Sequence, residues 1–467
     1  VLSETDAVDQ ARLLKQFHTS ERLQLDTIRR YWMGVQPLPA VIPSAAPREV
    51  RTMARIARVN ACRIVVESLA QSLFVDNFRT ANSDEDDAVW EVWQANKMDA
   101  RQSGLHRAAH AFGASYAIVL PGDPVPVIRA ASPRHLTAVY GDDPDWPEYA
   151  LEYMGTRGWR LYDDTAIYFL KGTGGAREFT LEDTKEHNAG VTPIVRFLDE
   201  YDLDADDDVT VDARAFMNYQ RKPFRGQVGP LMPLQDQIDL TTFSLLVAQW
   251  FNGFKQRWII GWTAKDEAQQ AKAIGSQLMT FDAPAEGEDS IKLGEFSQTD
   301  MADFIEAREA TLRHAATLSQ TPVHELTGTL VNLSADAIAA AENGHERKVD
   351  ERKTLLGEAH EQMLRLAGDL GGFDVPDDAE VVWRDTSAHA FAAIVDGLGK
   401  LATMLNIPPQ ELWERIPGVT KQDIDRWKVA AQSADSLGML KQIIDRQATP
   451  PVPQPAPAPV PAPAPMA

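Results

Sequence analysis

The sequence predicts an α+β chain in which a β-rich domain is set among long helices. Three observations carry that prediction. Helical hydrophobic periodicity governs both ends of the chain, short β-type runs separated by turn signals fill 115–198, and a heptad-like apolar face recurs between 334 and 370. With 467 residues there is room for about three domains.

Over 5–31 the apolar residues Val8, Leu13, Leu14, Phe17, Leu23, Leu25 and Ile28 recur at helical spacings, and Gly34, Pro37, Pro39 and Pro43 end the run. A second helix is expected over 49–73. Its arginines, Arg51, Arg55, Arg58 and Arg63, suit a solvated face or ion pairs between subunits better than DNA contact. Ser83 and the carboxylates Asp84, Glu85, Asp86 and Asp87 favour the positive end of a helix dipole, so a helix start is expected there, continued by Val89, Trp90 and Trp93. Strands are expected over 116–120, 125–128, 149–153, 159–162, 166–170 and 193–197, forming a mostly antiparallel domain.

Helical periodicity returns over 234–254, with Leu234, Ile238, Leu245 and Ala248 on one stripe. A small α/β insertion follows: strands over 257–260 and 277–281 with a helix over 265–277 between them. A second helix is expected over 300–319. After a linker, a long helix runs over 334–370 with Val349, Leu356, Ala359, Met363, Leu366 and Leu370 on one face, stopped by Gly371 and Gly372. Helices broken at Pro408-Pro409 and Pro417-Gly418 close the folded part. From Pro451 to Pro465 every second residue is proline, which predicts an extended, disordered tail.

Composition excludes several classes of function. Lys and Arg number 46 against 68 Asp and Glu, a formal charge of −22, so tight DNA wrapping is not expected, whereas DNA passing through without sticking is compatible with it. The single cysteine, Cys62, rules out an internal disulfide and a multi-cysteine zinc cluster. No apolar run reaches the length of a membrane span, and the acidic N-terminal stretch lacks the pattern of a secretory signal. A soluble chain made in the cytoplasm is therefore expected.

Tests for catalytic chemistry give nothing specific, and neither cofactor nor metal is expected. Around Gly399-Lys400, Ile394 and Leu401 replace residues that a P-loop requires. His106 and His110 share a helix face, but Arg107 stands where a zinc protease has Glu. The row Asp202, Asp204, Asp206, Asp208 lacks the glycine and the glutamate of a calcium loop.

The order of these elements, together with five stretches, resembles the portal proteins of tailed bacteriophages, in the siphovirus-like branch common among actinobacteriophages. The stretches are AASPRHLTAVY (130–140), GVTPIVRF (190–197), GPLMPLQDQI (229–238), GTLVNLSADA (328–337), and WRD (383–385) followed by IPPQELW (407–413) and PGVT (417–420). The resemblance implies a wing over 1–228, stem helices over 229–254 and 299–319 and a clip over 255–298. It further implies a tunnel loop over 320–333, a spine helix returning to the wing over 334–387, and a helical crown over 388–442, with the Pro-rich tail over 443–467 outside the common pattern.

The function implied is a ring of twelve subunits at one capsid vertex, assembled in the host cytoplasm and carried in the virion. Double-stranded DNA would pass through it during packaging and ejection without sequence specificity. The implied partners are the major capsid protein, the terminase large subunit and a head-tail connector, with no membrane. In the tunnel loop Thr321, His324, Thr327, Thr329 and Asn332 are expected to face the channel, Lys255 and Arg257 the lower channel, and Lys265, Asp266 and Glu267 the terminase or adaptor. Two other readings stay open: another head-tail structural ring, or a metal-dependent nuclease, which divalent-dependent cleavage of plasmid DNA would reveal.

Overall fold

A computed structural model describes residues 1–39, 41–43, 45–79, 87–172, 179–201, 226–253, 257–260, 278–281, 292–295, 300–328, 335–384, 391–416, 419, 423–424 and 426–431. The chain divides into two units, Val1–Ser387 and Ala388–Ala467.

The first unit opens with α1 (Glu4–Trp32), α2 (Arg48–Ile56), α3 (Ala61–Gln71), β1 (Val75–Arg79), α4 (Asp87–Ala95) and α5 (Met98–Phe112). The Ser3 hydroxyl caps α1 by accepting the Asp6 N–H; acidic residues fill the first turn and Arg29 and Arg30 the last, as the helix dipole favours. The single helix expected over 49–73 is two helices. Asn60 makes the break: its side chain accepts the Arg63 N–H, starting α3, and donates to the Trp32 carbonyl at 2.9 Å.

Eight strands follow: β2 (Ala114–Leu120), β3 (Val127–Ala131), β4 (Leu136–Tyr140), β5 (Pro147–Tyr153), β6 (Trp159–Tyr162), β7 (Ala166–Gly172), β8 (Phe179–Glu186) and β9 (Ile194–Leu198). They form two antiparallel sheets, ordered β3-β2-β9 and β4-β5-β6-β7-β8. The sheets pack face to face through Tyr116, Ile118 and Ile194 on one and Leu136, Ala138, Ala150, Tyr162 and Ile167 on the other. On the outer face of the larger sheet, Val139, Leu151, Leu161 and Tyr168 meet Ala7, Ala11 and Leu14 of α1. Neighbouring residues such as Ala138 and Val139 therefore point to opposite buried faces. A strand covered on both sides reads as a continuous apolar run and not as alternation, which is why β4 is harder to see in the sequence.

Beyond the sheets lie α6 (Val228–Gly253), β10 (Arg257–Ile260), β11 (Leu278–Phe281), β12 (Lys292–Glu295), α7 (Ala302–Ser319), α8 (Val323–Thr327), α9 (Ala335–Gly371) and β13 (Glu380–Trp383). β10 pairs parallel with β11 and antiparallel with β12, a strand the sequence reading missed. The helix expected over 265–277 lies outside the described residues, as do the acidic row 202–208 and the Pro-rich tail. α9 lays Val349, Leu356, Ala359, Met363 and Leu366, the heptad-like face, on the smaller sheet and α5, against Ala117, Val119, Val195, Phe197, Leu105 and Ala109. It ends before Gly372, whose φ of +74° only glycine adopts without strain. β13 pairs with β1, so the chain beyond α9 returns to the N-terminal part.

In the second unit α10 (Phe391–Met404) is followed by a 3-10 turn, Pro409–Arg415, after the Pro408-Pro409 break. Leu412 and Ile424 are buried there, and the Trp413 and Trp427 rings meet edge to face.

Candidate functional site

α6 and α7 form an antiparallel pair. The first half of α6, with Val228, Leu231 and Ile238, packs against the last half of α7, with Leu312, Ala315 and Ala316. Two buried polar residues of α6, Gln235 and Asp239, sit at i and i+4. Gln235 accepts the Ala61 N–H at 3.0 Å and donates to the Val59 carbonyl, while Asp239 accepts from Val59 N–H at 3.0 Å and from Gln36 Nε2 at 2.6 Å. These two side chains satisfy the backbone laid bare by the break between α2 and α3. Burial pushes the Asp239 carboxyl above its ordinary range, though the bonds to Val59, Gln36 and Gln235 oppose the shift.

α7 ends at Gln320, which takes a left-handed backbone with φ of +53°. The chain then turns through Thr321 and Pro322 into the short α8 and leaves at Gly328, φ +69°. On this turn His324 and Thr327 are half-buried and Thr327 Oγ1 donates to the Val323 carbonyl at 3.0 Å.

Where the pair meets the body of the unit, a buried polar cluster forms. Asp199, just past β9 and fully buried, lies 2.6 Å from His110 Nδ1 of α5 and accepts from Gln227 Nε2 at 2.5 Å and from Arg352 Nε of α9 at 3.3 Å. Lys348 Nζ, one helical turn before Arg352, donates to Gln227 Oε1 at 2.5 Å and to the Ser319 carbonyl at the end of α7 at 2.6 Å. The start of α6 and the end of α7 are thus held on α9 by one lysine. Gly226 allows the close approach: a Cβ there would lie 2.5 Å from the Gly113 backbone nitrogen. Burial alone would raise the Asp199 carboxyl; the hydrogen bond and charge of His110, the charge of Arg352 and the bond from Gln227 overcome it and hold it below its ordinary value. Burial lowers Lys348 to about 8, with Asp199 pulling the other way and Arg352 adding to the fall.

His106 and His110 do not share a ligand. His106 Nε2 faces His360 Nε2 of α9 at 2.9 Å, and its Nδ1 is 3.2 Å from the Leu73 carbonyl, so Nδ1 carries the His106 proton and His360 Nε2 donates to His106. Both rings are fully buried, against Trp93, Phe197 and Trp383. Among the described residues no group of three or more His, Cys, Asp or Glu side chains is arranged to hold a metal ion. No described helix is long and apolar enough to cross a membrane.

A profile of the family described as phage portal protein, SPP1 Gp6-like, matches residues 12–437. The chain belongs to this family. The portal protein of Mycobacterium phage D29 is 27% identical over 446 residues, covering 88% of this chain and 87% of the relative, and that of Mycobacterium phage L5 is 26% identical, covering 88% and 86%. Among solved structures, the virion of a native gene transfer agent particle matches with a TM-score of 0.45 and 15% identity, covering 81% of this chain and 96% of that one. The neck of an empty particle of the same kind matches at 0.46 and 14%, covering 79% and 96%. At that degree of superposition neither carries an argument about this chain.

Against the portal resemblance, the expected channel residues fall in different places. Thr321 is only 5% exposed, with Oγ1 2.9 Å from Ser319 Oγ, so its hydroxyl packs inside the subunit and does not face outward as expected. His324 and Thr327 lie on the turn between α7 and α9. Thr329 and Asn332 lie outside the described residues, as do Lys255, Lys265, Asp266 and Glu267. Arg257 starts β10, and only its backbone is described. Missed altogether were Lys348 and Arg352, which hide in the charged run AENGHERKVDERK of α9. Their signal was position: both border the stripe of Val349 and Leu356, the face that packs inward.

Proposed function

We propose that this chain forms a closed ring, of twelve copies in the virion, at one vertex of a phage capsid, through which DNA is packaged and ejected. The observation that carries the reading is membership of the portal family over 12–437. A feature of α6 supports it. Beyond its inward stripe the second half of the helix keeps Phe243, Leu246 and Val247 half-buried and Trp250 52% exposed, an apolar surface suited to cover by further copies.

In this reading the role is structural, and a separate motor moves the DNA. His324, Thr327, Thr329 and Asn332 line the channel, where uncharged polar groups touch phosphates without holding them. Thr321 drops out of that set because it is buried. Lys255 and Arg257 line the lower channel, and Lys265, Asp266 and Glu267, in the 255–298 segment, meet the terminase and later the connector. The 388–442 segment forms the crown, and the capsid protein surrounds the ring.

The test is the mass and symmetry of the purified full chain, alone and with capsid protein. Twelve copies of the 51.7 kDa chain give roughly 620 kDa in a hollow ring. A monomer under both conditions would overturn the reading. Packaging by a variant deleted of 328–333 then tests the channel loop, and unchanged packaging removes its role.

A further inference from the structure

In a chain of net charge −22, α2 gathers arginines that make no ion pair among the described residues, with its own carboxylate, Glu49, standing off their stripe. Arg48, Arg51 and Arg55 fall at i, i+3 and i+7, on one exposed stripe, and Arg58 extends the line just past the helix. Among the described residues none of the four makes an ion pair; Arg55 donates to Thr52 Oγ1 at 3.1 Å, and the Arg58 Nε is buried without a hydrogen-bond partner. Some other exposed arginines are paired, Arg12 with Asp9, Arg313 with Glu309 and Arg426 with Asp423, whereas Arg29, Arg30, Arg157 and Arg347 make no ion pair among the described residues either; what sets α2 apart is that its arginines form one stripe. The neighbouring face of α2 is closed, since Ala54 and Ala57 are buried and the helix packs on α6.

α7 packs along the same helix and carries three carboxylates in its first half, with Arg308 among them in sequence but off their row. Asp303 and Glu306 are exposed and make no ion pair among the described residues, and Glu309 is the next carboxylate along, held by Arg313 at 3.7 Å. At 1.5 Å per residue, Arg48 to Arg55 spans about 10 Å and Asp303 to Glu309 about 9 Å. An exposed isoleucine also stands near each row: Ile56, 68% exposed, follows Arg55, and Ile305, 46% exposed, stands one turn before Glu309. A phosphate backbone gives an exposed isoleucine nothing to bury against, whereas a protein interface does.

We propose that the arginine stripe of α2 docks on the carboxylate row of α7 of the next copy. The proposal rests on the ring reading and names a contact that closes it. A ring needs two different, complementary faces on each subunit, and these rows match in length, in charge and in their apolar neighbours. Both rows are exposed, so reversing them leaves the fold of the subunit unchanged.

The experiment follows the assembly of the full-length chain by light scattering over a series of salt concentrations. R51E/R55E and D303R/E306R are each expected to lose the assembly, weakening it on the order of tenfold or more, because like charges then face each other. Mixing the two variants restores it, as does a chain carrying all four changes, since every contact again joins opposite charges. Assembly of both variants with the wild-type salt dependence would overturn the contact while leaving the ring reading intact. So would loss of assembly that neither the mixture nor the fourfold variant repairs. Retained assembly of R51E/R55E with loss of binding to a DNA fragment would assign the stripe to phosphate instead. A wild-type chain that stays monomeric at every salt concentration, with and without capsid protein, removes the ring reading and this contact together.

Discussion

Asp199 shows how much can hang on one carboxylate. It is fully buried and meets His110, Gln227 and Arg352, so Asp199→Ala leaves a buried guanidinium with only the exposed Glu351 for counter-charge. The expected loss is about 3 to 5 kcal/mol, read as a fall in the denaturant midpoint of the purified chain. Because its folded pKa is depressed, the stability this group gives is present above its unfolded value and lost as pH falls through the folded one. The His106–His360 pair responds to acid for a different reason. Burial holds His360 at about 3, so above pH 6.5 both folded and unfolded chains carry it neutral, and below 6.5 only the unfolded chain takes up the proton. Stability should fall by about 1 kcal/mol per pH unit below 6.5 from this ring alone. His360→Phe should be less stable at pH 7, having left His106 Nε2 unpaired, yet its melting temperature should fall less between pH 7 and pH 5. Parallel curves for the two chains would refute the assignment.

Among the elements, the break between α2 and α3 decides where the arginine stripe stands. Asn60 caps α3, bonds the Trp32 carbonyl, and packs so closely on Gly34 that a Cβ there would lie 2.8 Å from its Nδ2. Asn60→Ala should cost about 1 kcal/mol through the lost cap, with a further loss from the bared Trp32 carbonyl, visible as a lower melting temperature with unchanged helix content. A melting curve identical to wild type would show that α6, through Gln235 and Asp239, fixes the break alone. In sequence the break was invisible, because 49–73 keeps helical periodicity across it and nothing local betrays that Gln235 and Asp239, some 175 residues on, satisfy its backbone. The heptad-like face of α9 was legible because its period is local. Lys348 and Arg352 were not, since a charged residue on such a helix ordinarily stays in water.

For the molecule as a whole, the four apolar clusters among the described residues lie before residue 388. A chain ending at Ser387 should therefore fold, with a circular-dichroism melt within a few degrees of the full chain; a molten or aggregated product would show that 388–467 completes the core. The channel assignment belongs to this scale too. Uncharged residues between two helices suggested a polar loop, and Thr321 looked as suitable as His324 or Thr327. Only packing separates them, because Thr321 folds under the end of α7 and the other two lie on α8.

By itself the sequence determined the α+β class, the long helices, most of the strands and, through the order of its elements, the portal family. These depend on periodicity and turn chemistry, which act over a few residues and are written locally. Tertiary structure alone decided that His106 turns to His360 and His110 to Asp199, that Lys348 ties the start of α6 and the end of α7 to α9, and that the α2 arginines make no ion pair among the described residues. Each of these joins residues far apart in the chain or depends on what water can still reach, and a buried charge finds its partner in space, not in sequence.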